Sequence, residues 1–278
     1  MLNVHSRTPP LVMPDLPVRH PMGGTRRANQ PSCRFVGTDS GRSRRFFTTS
    51  ELRPWRGSGW RAVEAQHRVA TMHLASGNLD DQTLLEDILD EAKPRLPADA
   101  QGLHWLLATP FRYWPLPGGS RFRRRTDPGV FYGAEDRRTA TAECGYWRLR
   151  FWLDSEGLSG RPASVELTLF EFHAAADKAI DLSKPPLVSH RETWTHPSDY
   201  AGTQLLAEQA REAWVGLIRY ESVRAPGGFC LAVLNPQPFK SVKEPYRNNQ
   251  QTWTLLIQPP RRIVLQRQLD RESWAFEF

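Results

Sequence analysis

The residues best suited to chemistry are concentrated between Phe111 and Trp147, and a second group follows around Ser222. The sequence contains no GxGxxG fingerprint, no P-loop, no GxSxG elbow and no HExxH motif. No active site built on one of these contiguous motifs is therefore expected. An active site in this protein must therefore be assembled from dispersed side chains. The candidates are Arg112, Tyr113, Arg121, Tyr132, Glu143, Ser222 and Arg224.

The arginines and tyrosines in this set have different chemical uses. The planar fork of an arginine binds phosphate oxygens in pairs, so Arg112 and Arg121 are candidate phosphate ligands. Arg224 is a second-choice phosphate contact, with a salt bridge as its alternative. A flat cationic ring is attracted to an aromatic face, which Tyr113 or Tyr132 offers.

Glu143 and Ser222 supply the remaining chemistry. A carboxylate can stabilise a developing positive charge, hold sugar hydroxyls or take a proton from an acceptor. The helical neighbours of Glu143 are Ala140 and Trp147, which places the carboxylate toward an apolar side where a charge needs a reason to be. Ser222 directly follows a predicted strand, and its hydroxyl can bind a sugar hydroxyl, an amide or a phosphate.

Each of these residues also has a purely structural interpretation. Arg121 opens an arginine-rich run, where isolated charges are usually solvated. Tyr132 fits a core aromatic, Glu143 fits a solvated helix face, and Ser222 fits a strand-end serine that bonds the backbone. For any one residue alone, the structural interpretation is preferred. A functional interpretation depends on the whole set and its order.

The ordered set resembles the RES-domain family, which is named for an Arg, a Glu and a Ser. The resemblance spans roughly residues 105 to 240. Two departures are visible, since many members have Arg-Trp-Asn where this chain has Arg121–Phe122–Arg123, and many have His where it has Trp147. The segments that carry the resemblance are Phe111–Arg112–Tyr113, Gly119–Ser120–Arg121–Phe122, Gly129–Val130–Phe131–Tyr132, Thr139–Ala140–Thr141–Ala142–Glu143 and Tyr220–Glu221–Ser222–Val223–Arg224.

The resemblance implies an ADP-ribosyltransferase-like α+β fold and an enzyme that destroys NAD. The bond broken joins nicotinamide to ribose, with water or phosphate as the acceptor, so NAD is a substrate and no cofactor is expected. By resemblance, Arg121, Tyr132 and Glu143 are catalytic, whereas Arg112, Tyr113 and Ser222 bind substrate. Arg224 joins the substrate-binding residues as a second-choice phosphate contact.

Three functions remain open at this stage. The first is an NAD glycohydrolase or phosphorylase that acts as the toxin of a toxin–antitoxin pair. The resemblance implies that its partner is a small helical DNA-binding antitoxin, which covers the entrance to the active site. The second is transfer of ADP-ribose to a protein, and the third is a non-enzymatic module that binds NAD or ADP-ribose.

Composition limits the kinds of binding partner that the folded body can have and indicates the cellular compartment. Residues 1–50 hold eight Arg and two Asp, and so carry six of the seven net positive charges. The nearly neutral remainder argues against direct nucleic-acid binding by the folded body. Three widely spaced cysteines (Cys33, Cys144 and Cys230) predict reduced thiols in the cytoplasm. No His or Cys spacing suggests a metal, and no apolar run is long enough to cross a membrane.

Periodicity predicts an α+β fold with a mixed-sheet core, flanking helices and an N-terminal helical extension. Residues 1–50 are expected to be a disordered basic tail, 51–100 a helical extension packed on the core, and 101–278 the catalytic domain. Within the extension, one helix is predicted over Arg61–Leu74. Another begins at Asp80 or Asp81, carries the stripe Leu84, Leu85, Ile88 and Leu89, and ends at Lys93–Pro94.

The later elements are predicted from the same signals. Phe111–Tyr113 should be extended, and Asp136 should cap a helix that runs through Trp147. A further helix is expected over Thr203–Trp214. Strands are expected at Gly129–Tyr132, Val165–Leu169, Ala179–Leu182, Leu217–Tyr220 and Leu231–Leu234, with one or two more between Thr252 and Gln266.

Overall fold

The protein folds around one eight-stranded mixed sheet with helices on both faces. The computed structural model describes residues 45–65, 72, 74–114 and 118–278. The strands are β1 (Arg53–Glu64), β2 (Phe131–Ala134), β3 (Ala163–Asp181), β4 (Leu217–Glu221), β5 (Phe229–Val233), β6 (Tyr246–Gln258), β7 (Arg262–Arg267) and β8 (Ser273–Glu277). The α-helices are α1 (Leu79–Glu91), α2 (Trp105–Arg112), α3 (Arg137–Asp154), α4 (Arg191–Trp194), α5 (Ala201–Glu212) and α6 (Gln237–Lys240). This mixture confirms the predicted α+β class.

The strand order is β1-β2-β5-β4-β3-β6-β7-β8, and β1 also pairs with β3. The first five strands therefore close on themselves, while β6, β7 and β8 extend from β3. Only β3 and β4 are parallel among these pairs. The 19 residues of β3 serve both parts, because Ala163–Phe172 pairs with β6 and Ala179–Asp181 pairs with β4.

Two hydrophobic cores lie on opposite faces of the sheet. The first contains residues of α3 and α5, and the second contains residues of α2 and α6. Successive side chains in a strand point to opposite faces. Accordingly, Phe131 enters the second core while Tyr132 packs against the first, and Leu231 enters the second while Cys230 enters the first. Tyr132 and Cys230 therefore point toward the layer that contains α3.

The predicted helix over Arg61–Leu74 is wrong at its start. Arg61 to Glu64 form the end of β1, whose backbone pairs with β3. Both faces of this strand are partly buried, since Ala62 packs against the first core and Val63 against the second. The sequence therefore lacks the polar–apolar alternation that would have identified a strand. Residues 66–71 and 73 lie outside the described residues.

The region before residue 100 differs from expectation in three further ways. The predicted helix after residue 80 exists as α1, but Asn78 caps it, since its side chain accepts from the backbone N–H of Asp80 (2.9 Å). Part of its leucine stripe faces solvent, with Leu84 59% and Ile88 53% exposed. Residues 1–44, most of the predicted tail, lie outside the described residues, whereas Phe47 is buried in the first core.

After residue 100 most predictions hold, with changes at the boundaries, and one is wrong. Asp136 caps α3 as predicted, accepting from the backbone N–H of Thr139 (2.8 Å), and the helix continues to Asp154. Phe111 and Arg112 were predicted extended, which is wrong because they form the last turn of α2. The two strands predicted at 165–169 and 179–182 are one strand, β3. The remaining predicted strands and the helix near 203–214 are present within a few residues.

Candidate active site

Glu143 lies on the second turn of α3, and Ser222 donates a hydrogen bond to it. The Ser222 Oγ lies 2.6 Å from Glu143 Oε1. The Ser222 Oγ also accepts hydrogen bonds from the backbone N–H groups of Arg224 (3.1 Å) and Ala225 (3.0 Å). Because those groups donate to the Ser222 oxygen, its single proton is directed at the carboxylate. The turn after β4 thus fixes one oxygen of a half-buried glutamate.

Cys230 approaches the same carboxylate from β5. Its sulfur lies 3.7 Å from Glu143 Oε1, and the side chain is buried. Burial raises the pKa of the Cys230 thiol well above its ordinary value, and the negative charge of Glu143 raises it further. The thiol therefore stays protonated and acts as a weak donor rather than as a nucleophile.

Tyr132 fixes the turn that carries Arg121. Its hydroxyl lies 2.8 Å from Ser120 Oγ and accepts from the backbone N–H of Phe122 (3.0 Å). Ser120 and Arg123 close the turn through paired backbone hydrogen bonds of 2.7 and 3.1 Å. Burial raises the pKa of Tyr132, so the phenol remains neutral. Tyr132 thereby positions the residue between its two partners, Arg121.

Arg121 and Arg224 are held by one short segment, Trp194–Pro197, which starts at the last residue of α4 and continues into the loop before α5. Arg121 Nη1 donates to the carbonyls of Trp194 (2.8 Å) and His196 (3.0 Å). Arg224 Nη2 donates to the carbonyl of Pro197 (2.8 Å). Because each guanidinium has five N–H donors, these bonds leave several donors on each arginine for a ligand.

Each of these arginines also lies over a tyrosine ring. The Arg121 guanidinium carbon is 4.8 Å from the ring centroid of Tyr200, and that of Arg224 is 3.6 Å from the centroid of Tyr146. Such contacts stabilise a cation by its attraction to the ring face. Tyr146 and Tyr200 are functional candidates that the sequence analysis missed. Tyr146 follows Glu143 by three positions, a helical spacing that would have identified it, whereas no local signal marks Tyr200.

Electrostatic effects connect these groups. Burial raises the pKa of Tyr200, the positive charges of Arg121 and Arg224 lower it, and the negative charge of Glu143 raises it. Burial also raises the pKa of Tyr220 well above its ordinary value. Cys230, Glu143 and Tyr132 raise this pKa further, whereas the positive charge of Arg121 lowers it. The structure therefore brings together five of the seven sequence candidates: Arg121, Tyr132, Glu143, Ser222 and Arg224.

The structure does not connect the other two candidates to this cluster. Arg112 ends α2, and its Nε donates to the carbonyl of Pro94. Tyr113 follows as the extended C-cap of the same helix. Among the described residues, no hydrogen bond, ion pair or ring contact joins Arg112 or Tyr113 to Glu143 or Arg121.

Arg121 and Arg224 differ from other arginines nearby in their charged neighbours. Arg219 pairs with Glu135 and Asp181, and Arg211 pairs with Asp127. In the described part of the chain, neither Arg121 nor Arg224 has a carboxylate partner within 4.0 Å. The two cations are thus available to an anionic ligand. Within the same residues, no three His, Cys, Asp or Glu side chains form a group that could hold a metal ion.

Comparison with known families agrees with the predicted family. The family model of the RES domain matches residues 94–258, which is more than half of the chain and includes all seven candidate residues. This chain belongs to the RES-domain family. The match covers β2 to β6. It leaves out β1 and α1, which precede residue 94, and β7 and β8, which follow residue 258.

The comparisons with curated proteins and solved structures add little. No curated protein matches the chain. A crystal structure of the MbcT–MbcA toxin–antitoxin complex of M. tuberculosis is similar at 12% identity with a TM-score of 0.41, covering 75% of this chain and 87% of that one. Over the described residues, no helix combines the length and the apolar character needed to cross a bilayer.

Proposed function

We propose that this RES-domain protein cleaves the bond between nicotinamide and ribose in NAD. The observation that supports the proposal is a carboxylate, Glu143, that Ser222 orients in the same cluster as Arg121 and Arg224, two arginines without a carboxylate partner among the described residues. Two available guanidiniums suit a pyrophosphate, and a single carboxylate suits a sugar that becomes positively charged. Membership in the RES family supports the same substrate.

Arg121 and Arg224 bind the pyrophosphate in this proposal. Arg121 uses one nitrogen, Nη1, for the carbonyls of Trp194 and His196. Within the described part of the chain, its Nε and Nη2 make no hydrogen bond and form a side-on fork, the geometry that binds two oxygens of one phosphate. Tyr132 acts indirectly, as a positioning residue, because its hydroxyl holds both neighbours of Arg121.

Glu143 acts at the ribose. When the C1′–N bond breaks, its electron pair stays on the nicotinamide nitrogen, and the positive charge moves to the ribose ring. The Glu143 carboxylate stabilises that charge and takes the proton that the acceptor loses as the new C1′–O bond forms. The Ser222 hydroxyl holds one carboxylate oxygen, which leaves the other oxygen for the substrate.

The first test is to incubate the purified protein with NAD and identify the products by mass spectrometry. Water as acceptor gives nicotinamide and ADP-ribose, and phosphate gives nicotinamide and a phosphorylated ADP-ribose. Glu143→Gln should abolish nicotinamide release, whereas Glu277→Gln, an exposed carboxylate on β8, should not change it. Intact NAD after hours, both with and without phosphate, would refute the proposal.

Two related experiments test the alternatives, which are ADP-ribose transfer to a protein and non-enzymatic binding. Labelled NAD added to a cell extract would leave the label on protein if the enzyme transfers ADP-ribose to a protein. A non-enzymatic module would bind ADP-ribose without consuming NAD. We retain NAD cleavage because a carboxylate fixed by a serine is more than binding alone requires.

We further propose that the protein is the toxin of a toxin–antitoxin pair. This rests on the family resemblance, which implies a small helical DNA-binding antitoxin over the site entrance. Expression of the chain alone should arrest growth, and Glu143→Gln or co-expression of the neighbouring gene should restore it. Equal growth with and without the intact site would contradict the toxin proposal.

A further inference from the structure

The stack between Arg224 and Tyr146 is the closest cation–ring contact in the described part of the site. The guanidinium lies 3.6 Å from the ring centroid, which is the separation of two flat groups in direct contact. Trp147 and Phe278 contact the Tyr146 ring in T-shaped geometry, with interplanar angles of 78° and 80°. Two aromatic neighbours thus pack against the ring, and the guanidinium of Arg224 lies over it.

The position of this ring relative to Glu143 follows from the helix. Residues three apart in an α-helix project from the same side, so Tyr146 and Glu143 share one side of α3. Both residues also raise the pKa of Tyr200. A planar cation on Tyr146 therefore lies about one helical turn from the Glu143 carboxylate, which in the proposed function acts at the nicotinamide–ribose bond.

The nicotinamide ring of oxidised NAD belongs to the same chemical class as the group now on Tyr146. Both are flat, delocalised cations with N–H donors at the rim. The two tyrosines expected from the sequence are less suitable. Tyr132 uses its hydroxyl for Ser120 and Phe122, and Tyr113 has no described contact with the cluster.

We propose that the face of Tyr146 covered by Arg224 is the surface that binds the nicotinamide ring; this inference rests on the proposed function. When NAD binds, Arg224 leaves the Tyr146 ring and contacts the pyrophosphate. Arg224 is suited to such a movement, because among the described residues its guanidinium makes one hydrogen bond, an exposed one to the carbonyl of Pro197. Arg121 is held by two carbonyls and remains in place.

This arrangement has a kinetic consequence. The positive charge lies on the nicotinamide ring in bound NAD and leaves the ring as the C1′–N bond breaks. Attraction to Tyr146 is therefore stronger in the bound substrate than in the transition state. Removing the ring should raise KM without lowering kcat, which is the signature of lost ground-state binding.

The experiment uses two probes, 1-methylnicotinamide as the flat cation and ADP-ribose as the diphosphate. Arg224→Ala uncovers Tyr146 and removes a phosphate ligand, so the affinities should change in opposite directions. We expect 1-methylnicotinamide to bind about threefold to tenfold more tightly, by the size of a cation–ring contact. ADP-ribose should bind about tenfold more weakly, by the loss of a charge-assisted hydrogen bond.

Tyr146 variants give the complementary result. Tyr146→Leu should weaken 1-methylnicotinamide and raise the KM for NAD, whereas Tyr146→Phe, which keeps the ring, should restore both. Arg56→Ala and Tyr246→Leu are matched controls on other parts of the sheet, because Arg56 pairs with Asp177 and Tyr246 stacks on His104. If Tyr146→Leu fails to fold, Tyr146→Phe and Arg224→Ala still decide the question.

Failure of this inference is distinguishable from failure of the proposed function. Opposite shifts of the two probes without NAD cleavage would support the binding surface and refute the enzyme. NAD cleavage together with parallel or absent shifts in Arg224→Ala would refute the binding surface and leave the enzyme intact. Equal binding of neutral nicotinamide and 1-methylnicotinamide would also overturn the inference, since a cation surface must discriminate between them.

Discussion

Tyr132→Phe tests whether the phenol builds the Arg121 turn. The substitution keeps the ring and removes the hydroxyl that contacts Ser120 Oγ and accepts from the Phe122 N–H. Phe122 is fully buried, so its N–H loses its partner where water cannot replace it. A lost hydrogen bond and an unsatisfied buried donor together predict a loss of about 2–4 kcal/mol in the free energy of unfolding.

Thermal denaturation measures this loss directly. For a protein of this size the expected fall in Tm is roughly 5–12 °C. The KM for NAD should rise as well, because Arg121 is no longer held by fixed neighbours. Tyr246→Phe is the control, since that hydroxyl bonds the exposed Gln250 side chain and its loss should leave Tm nearly unchanged. An unchanged Tm in Tyr132→Phe would refute the proposed role of the hydroxyl in the turn.

Three further predictions concern the surroundings of the site. Gly119→Ala should lower Tm and raise the KM for NAD, because Gly119 has a φ of 73° and an added Cβ would lie 2.2 Å from the carbonyl oxygen of Arg123; wild-type values would contradict this. Glu221→Gln should cost about 0.2–1 kcal/mol at neutral pH, measured by urea unfolding, because its partner Arg191 is exposed. Its hydrogen bonds and charge pairing with Arg191 lower the pKa of Glu221, so the stabilisation is present above its unfolded pKa and is lost as pH falls through the folded pKa; a cost that persists in acid would contradict the ion pair. Cys230 should resist alkylation at pH 8 in the native protein, as followed by peptide mass mapping, because burial raises the pKa of its thiol; rapid native labelling would contradict its burial.

Local sequence signals predicted the elements that carry the chemistry. Asp136 caps α3 as an N-cap aspartate should, and the helix then presents Glu143 from its second turn. The alternation within β5 places Cys230 on the α3 side of the sheet and Leu231 on the other. The N-cap signal identified the helix, and the apolar run Leu231–Leu234 identified the strand, although both faces of β5 are buried.

Long-range pairing accounts for what the sequence did not predict. The end of β1 has neighbours on both faces, and the partner that makes it a strand, β3, lies about a hundred residues later. The contact of Arg121 with Tyr200 and the shared attachment of Arg121 and Arg224 to residues 194–197 depend equally on the folded chain. No local spacing encodes contacts between segments so far apart.

The most direct test of the central claim separates chemistry from binding at Glu143. Nicotinamide release in a single turnover and the Kd for NAD should be measured for the wild type and for Glu143→Gln. We predict a loss of at least about a hundredfold in the rate of release, with little change in Kd, because the carboxylate acts on charge that develops only as the bond breaks. A Glu143→Gln protein that releases nicotinamide at the wild-type rate would contradict the account.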